Sequence, residues 1–149
     1  MEIRIETATP RMLDKLFEIE EQCFDEEVFT KRQISYLLSD YNTIALVAKA
    51  DGAVAGFIIA QVEIEGDNLY GHIITVNVAS AFRRRGIGSK MLKETEEMLK
   101  QKGISECHLE VREDNSSALK LYHKSGYQNI RKLEKYYGKK HGLYLKKSF

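Results

Sequence analysis

The chain has 149 residues, 43% of them hydrophobic and 30% charged, with a formal net charge of +1. That length supports one domain with a proper core and is too short for two comfortable ones. The near-neutral balance excludes a global field that would draw nucleic acid or an anionic membrane, so electrostatic binding has to come from local clusters.

Ile3 and Ile5 alternate with Arg4 and Glu6, which predicts a short strand. Thr9-Pro10 reads as a helix start with a capping hydroxyl and a proline in the first turn. Met12, Leu16, Ile19 and Cys23 then recur at helical spacing, predicting a helix to about Phe24 that Asp25-Glu26-Glu27 breaks. Thr30 caps a second, shorter helix carrying Ile34, Leu37 and Leu38. By position, the two helices form one wall of an acceptor site.

The apolar, β-branched run 43–50 is followed by Asp51-Gly52, a strong hairpin signal, and by a returning strand over 53–64. After the turn at 65–68, a third strand covers 69–78, so the middle of the chain predicts an antiparallel meander. Arg83-Arg84-Arg85-Gly86-Ile87-Gly88-Ser89 comes next and opens an amphipathic helix to Lys102, with Met91, Leu92, Met98 and Leu99 as its apolar stripe and Gly103 as its C-terminal cap. Residues 106–112 alternate cleanly, with Cys107, Leu109 and Val111 on one face and His108, Glu110 and Arg112 on the other. The strand–helix–strand passage implies a parallel, right-handed crossover. Asp114 or Asn115 caps a short helix through Tyr122 that Gly126 ends, and 127–137 with 142–147 form a closing hairpin.

Cys23 and Cys107 lie in apolar patterns, predicting buried free thiols and neither a disulfide framework nor metal spacing. No run approaches the ~20 apolar residues of a membrane span. The acidic, alternating N-terminus is unlike a signal peptide. A soluble cytoplasmic domain spanning 1–149 is the expectation.

Strand, glycine turn, helix N-terminus is the order that builds an anion site. The first N–H groups of a helix lack internal partners, and the dipole places partial positive charge there. Gly86 and Gly88 let backbone approach a ligand, the three arginines supply mobile positive charge, and a phosphate-bearing ligand is the natural guest. The Walker loop does not fit, because Gly88-Ser89-Lys90 echoes only its end. The dinucleotide fingerprint fails too, since Met91 holds the third glycine's place.

Arg83-x-x-Gly86-x-Gly88 resembles the acyl-CoA pyrophosphate loop of the GCN5-related N-acetyltransferases. The block Leu109-Glu110-Val111-Arg112-x-x-Asn115-x-x-Ala118-x-x-Leu121-Tyr122-x-x-x-Gly126-Tyr127 resembles the second motif of that family at the expected distance. The resemblance implies an α+β fold with a mixed, mainly antiparallel sheet of about seven strands, one splayed parallel pair and about four helices. It implies acetyl-CoA as donor, held by Arg83, Arg84, Arg85, Gly86, Ile87, Gly88, Ser89 and Asn115 and by the backbone of Val76, Asn77 and Val78. Asn115 reads equally as a plain N-cap, and both roles can hold together. By resemblance Tyr122 protonates the departing thiolate, and Glu110 is the candidate base through water, its alternative being an ion pair with Arg112.

The acceptor is less defined. An α-amine titrates near ~8 and lysine near ~10.4, so a single carboxylate with no evident catalytic histidine leans toward an N-terminal amine. Lys135-Tyr136-Tyr137-Gly138 resembles the Tyr-Tyr segment of ribosomal-protein and archaeal or eukaryotic N-terminal acetyltransferases, where the hairpin clasps a peptide; an exposed aromatic pair is the alternative. Glu26 and Phe29 are the other candidate acceptor contacts. The expected partners are acetyl-CoA and a protein or peptide N-terminus, with no nucleic acid and no membrane, and an auxiliary subunit or homodimer is left open. Competing readings are acetylation of a lysine or small cationic amine, and a non-catalytic CoA-binding module.

Overall fold

The computed structural model describes residues 2–24 and 28–149. In chain order the described residues form β1 (Ile3–Thr7), α1 (Leu13–Cys23), α2 (Lys31–Ser39), β2 (Thr43–Ala50), β3 (Ala53–Glu65) and β4 (Asn68–Val78). There follow α3 (Ile87–Gln101), β5 (Glu106–Arg112), α4 (Ser116–Lys124), β6 (Gln128–Tyr137) and β7 (Lys140–Ser148). The strands make one sheet in the order β1-β2-β3-β4-β5-β7-β6, in which β4 and β5 run parallel and every other neighbouring pair is antiparallel. The expected mixed α+β architecture is therefore present.

Helices cover both faces of the sheet. Met91, Leu92 and Leu99 of α3 and Tyr122 of α4 pack with Ile58, Ile73, Leu109 and Leu145 on one face. Leu16 and Ile19 of α1 and Ile34 and Leu37 of α2 pack with Val47, Phe57 and Ile59 on the other. Because both faces of β3 are covered, its middle reads as a continuous apolar run with no alternation.

Local chemistry explains the boundaries. Asp51 and Gly52 both take positive φ (50° and 89°), the pair of values a two-residue primed hairpin turn needs. Thr30 and Gln33 form a reciprocal capping box at the start of α2. Gly103 takes φ 78°, and the N–H of Ile104 returns to the Leu99 carbonyl at 3.0 Å, closing α3. Thr9 departs from expectation: its side chain caps nothing, and Pro10 opens a 3-10 turn (Pro10–Met12) that delays α1 to Leu13. β7 likewise begins at Lys140, two residues before the expected start.

Two irregularities in β4 position the site. Opposite Ile59 and Ala60 the register passes from Thr75 to Ile73, leaving Ile74 as an extra bulged residue. Ile73 packs on the α3 face, whereas Ile74 packs toward α1 and Thr75 and Asn77 bond to Glu20 of that helix. The bulge has reversed the alternation. The ladder between β4 and β5 comprises only Gly71 with Cys107 and His72 with His108. Beyond His72 the two parallel strands diverge and open a cleft.

Candidate active site

That divergence opens a cavity of about 320 Å³, walled by α1 and the segment before α2 on one side and by β5, α4 and the β6–β7 hairpin on the other. Its lining gathers Phe29, Val76, Glu110, Asn115, Tyr122, Tyr136 and Tyr137, seven of the residues expected from sequence. Glu26 lies outside the described residues.

The loop at 83–89 stands at one end of the splay. Gly86 takes φ 74° at the N-cap of α3, and a Cβ there would meet nothing within 4 Å, so this glycine serves backbone conformation. Gly88 also serves packing: a Cβ there would lie 3.2 Å from Leu121 of α4, so the glycine lets the two helices approach closely. Lys90 donates to the Gly86 carbonyl at 3.1 Å, and the preceding N–H groups of Ile87, Gly88 and Ser89 have no helical acceptor. Arg83 is not mobile charge: its Nε donates to the Val78 carbonyl at 3.2 Å and its Nη2 lies 3.6 Å from Cys23 Sγ. That carbonyl also accepts from Cys23 at 3.5 Å, so it is already engaged. Arg84, at φ 64°, and Arg85 are exposed.

The inner wall holds groups that sequence reasoning did not assign. Glu20 is fully buried; its Oε1 accepts from Asn77 Nδ2 at 2.8 Å and Thr75 Oγ1 at 3.1 Å, and its Oε2 from the Phe29 N–H at 3.3 Å. Burial pushes its carboxyl up, and these three donors oppose that shift. The network ties α1, the acceptor-side segment and splayed β4 together. It also consumes the Asn77 amide group, while Asn77 Oδ1 stays buried without a partner.

His72, which the sequence did not single out, lines the same cavity and is bonded to Glu110. Its Nε2 lies 2.7 Å from Glu110 Oε1 and its Nδ1 2.7 Å from Glu63 Oε2. Burial alone would lower its pKa, but the bonds and charges of Glu110 and Glu63 outweigh it and raise the ring to about 9. Glu110 is thus paired with His72, whereas Arg112 binds Asp114 through Nε at 2.9 Å and Nη2 at 2.8 Å. The alternative pairing of Glu110 with Arg112 is not the one formed. The sequence signal for His72 was its place two residues beyond Tyr70 on the polar face of β4, facing the polar face of β5.

On the opposite wall Tyr122 is 7% exposed, and burial pushes its phenol well up, so it stays protonated. Its ring packs edge-on against Tyr127, whose hydroxyl donates to Glu96 at 2.9 Å; Lys147 binds the same carboxylate at 2.7 Å. Asn115 is an N-cap, its Oδ1 accepting from the Ala118 N–H at 3.2 Å. At the mouth Tyr136 and Tyr137 meet edge to face at 4.9 Å. Gly142 makes room for them, since a Cβ there would lie 3.0 Å from Tyr137 and 3.3 Å from Tyr136.

The sequence model of the Acetyltransferase (GNAT) family matches residues 13–127. An N-alpha-acetyltransferase of Sulfurisphaera tokodaii is 33% identical over 117 residues, covering 72% of this chain and 70% of that protein. Among solved structures, Ard1 from Thermoplasma volcanium superposes with a TM-score of 0.89 at 22% identity, covering 99% of this chain and 98% of the other. The NatC complex bound to Gag peptide and CoA gives 0.89 at 20% identity, covering 100% and 99%. With the splayed sheet, the glycine turn before α3 and the family match over most of its length, the chain belongs to the GNAT family of acetyltransferases.

Proposed function

We propose that the protein transfers an acetyl group from acetyl-CoA to the N-terminal α-amine of a protein or peptide. The observation that carries this reading is one cavity lined by both Tyr122 and the Glu110–His72 pair. The residues present fit the donor. The α3 N-terminus offers unpartnered N–H groups beside an unobstructed Gly86, and β4 beyond His72 has left its ladder with β5. Arg84, Arg85 and the N–H groups of residues 87–89 would hold the pyrophosphate, and Val76 and Asn115, which line the cavity, would face the pantetheine arm.

Acetyl-CoA supplies an acetyl group activated as a thioester. Near neutral pH His72 is an imidazolium, so Nε2–H donates to Glu110 and keeps that carboxylate oriented, with its second oxygen left for the acceptor. The acceptor nitrogen forms the C–N bond as the C–S bond breaks. Glu110 takes the proton the nitrogen sheds, directly or through one water, and Tyr122 donates a hydrogen bond to the departing sulfur. An α-amine near ~8 is substantially neutral already, so a carboxylate of this kind suffices. Tyr136, Tyr137 and Phe29 clasp the first residues of the acceptor. The N-alpha-acetyltransferase relative supports the same acceptor class.

A peptide panel tests the acceptor. Lysine-free peptides with a free α-amine, and α-blocked peptides with a lysine, are incubated with acetyl-CoA and read by mass spectrometry. Modification of the first set alone is expected; modification of the second set alone refutes the N-terminal reading.

A further inference from the structure

Three strands deliver one residue each to a line across the sheet: Glu63 from β3, His72 from β4 and Glu110 from β5. Two of these, His72 and Glu110, line the cavity, and Glu63 does not. Glu63 sits directly opposite Tyr70 and reaches diagonally along β4 to His72. Its other oxygen, Oε1, accepts from the Tyr70 hydroxyl at 3.0 Å. Tyr70 in turn stacks on the imidazole of His108 at 4.3 Å and 15°, and His108 bonds to Glu106 at 2.9 Å and to the Tyr144 hydroxyl. Glu63 therefore has a fixed aim.

The chemistry of an imidazole between two carboxylates is restrictive. A neutral ring has one N–H and one lone pair, so one of the two 2.7 Å contacts would set lone pair against carboxylate oxygen. Both contacts are attractive when both nitrogens carry protons. Remove either carboxylate and the ring can satisfy the other as a neutral donor. The second carboxylate thus decides the charge on His72.

We propose that Glu63 is a positioning residue for acetyl transfer: it accepts from Nδ1–H of His72, keeps the ring doubly protonated, and so makes the Nε2–H donor to Glu110 a cationic one. This inference rests on the reading of Glu110 as the proton acceptor. Among the described residues, the remaining ionisable groups around the ring do not duplicate the effect. Glu20, from α1, is engaged by Thr75, Asn77 and the Phe29 N–H, and Arg112 by Asp114. Burial pushes up the phenols of Tyr70, Tyr136 and Tyr144, so they stay neutral through the working range.

The test is Glu63→Gln in the full chain, which keeps size and an acceptor oxygen and removes the charge. The expected result has three parts. The His72 titration, followed by NMR of its ring protons, moves down by at least one pH unit. The alkaline limb of kcat moves down with it, and kcat at pH 8 falls about tenfold while KM for acetyl-CoA is unchanged. Tyr70→Phe, which removes only the hydroxyl that aims Glu63, shifts both in the same direction by less; it decides the matter if Glu63→Gln does not fold. An unchanged His72 titration and an unchanged alkaline limb in the folded variant overturn the proposal. The NMR readout needs no acceptor, so failure of the N-terminal reading, seen as no α-amine acetylation by the wild type, is distinguishable from failure of the Glu63 grip.

Discussion

Replacing His72 with glutamine removes the one imidazolium in the cleft, and the consequence is a change in how stability depends on pH. The folded pKa of His72 is raised from 6.5 to about 9. A group raised in this way stabilises the fold fully below its unfolded value, near 6.5, and loses that contribution as pH climbs through 9. At about 1.4 kcal/mol per unit the shift corresponds to about 3 kcal/mol. The side chain is 21% exposed, and solvent screening brings the expected figure to about 2 kcal/mol. The assay is urea unfolding of wild type and His72→Gln at pH 6, 7.5, 9 and 10, each fitted for midpoint and slope. Lysines and tyrosines titrate in both proteins, so the difference between the curves isolates His72. Wild type is expected to lose about 2 kcal/mol more than the variant between pH 6 and pH 10, the loss accruing steadily between about pH 6.5 and pH 9 and levelling off above. Parallel curves would refute the reasoning, because they would mean that Glu63 and Glu110 do not hold a charged ring.

Gly56→Ala probes the splay itself. Its Cβ would lie 2.5 Å from the Asn77 carbonyl, a backbone atom that has to shift, so a loss of about 1–3 kcal/mol is expected together with reduced turnover. Calorimetry and kinetics on one preparation check both; an unchanged melting temperature would contradict it. Gly86→Val forces a β-branched residue to φ 74° in open space, so acetyl-CoA affinity by titration calorimetry should fall at least about tenfold while the fold persists. Tyr122→Phe should keep acetyl-CoA affinity and lower kcat roughly a hundredfold. Turnover at the wild-type rate would assign the acid to another group.

Much of the architecture is written in local pattern. The hairpin at Asp51-Gly52 needs two positive φ values, the stop at Gly103 needs one, and the capping box at Thr30 and Gln33 needs only residues three apart. Signals of this kind depend on near neighbours, so spacing alone reveals them. The pairing of the glycine turn at 86 with the block from Glu110 to Tyr127 also marks the family, because both motifs are contiguous. Glu110 and Tyr122 are legible as candidates for the same reason.

What local pattern cannot carry is set by the bulge at Ile74 and the end of the β4–β5 ladder at His72. The bulge reverses which side chains of β4 face α1, sending Thr75 and Asn77 to Glu20, a residue more than fifty positions away in sequence. The ladder brings His72 beside Glu110 across 38 residues, and the neighbouring strand brings Glu63 to the other ring nitrogen. The packing of Leu121 against Gly88 is likewise invisible along the chain, and Arg83 looks like free charge until the Val78 carbonyl is seen to hold it. By itself, then, the sequence determined the order of strands and helices, the family and two candidate reacting groups. The partners of those groups, and with them the charge state of the cleft, were decided only in tertiary structure, because a hydrogen bond or a desolvation acts over a few ångströms in space and leaves no period along the chain.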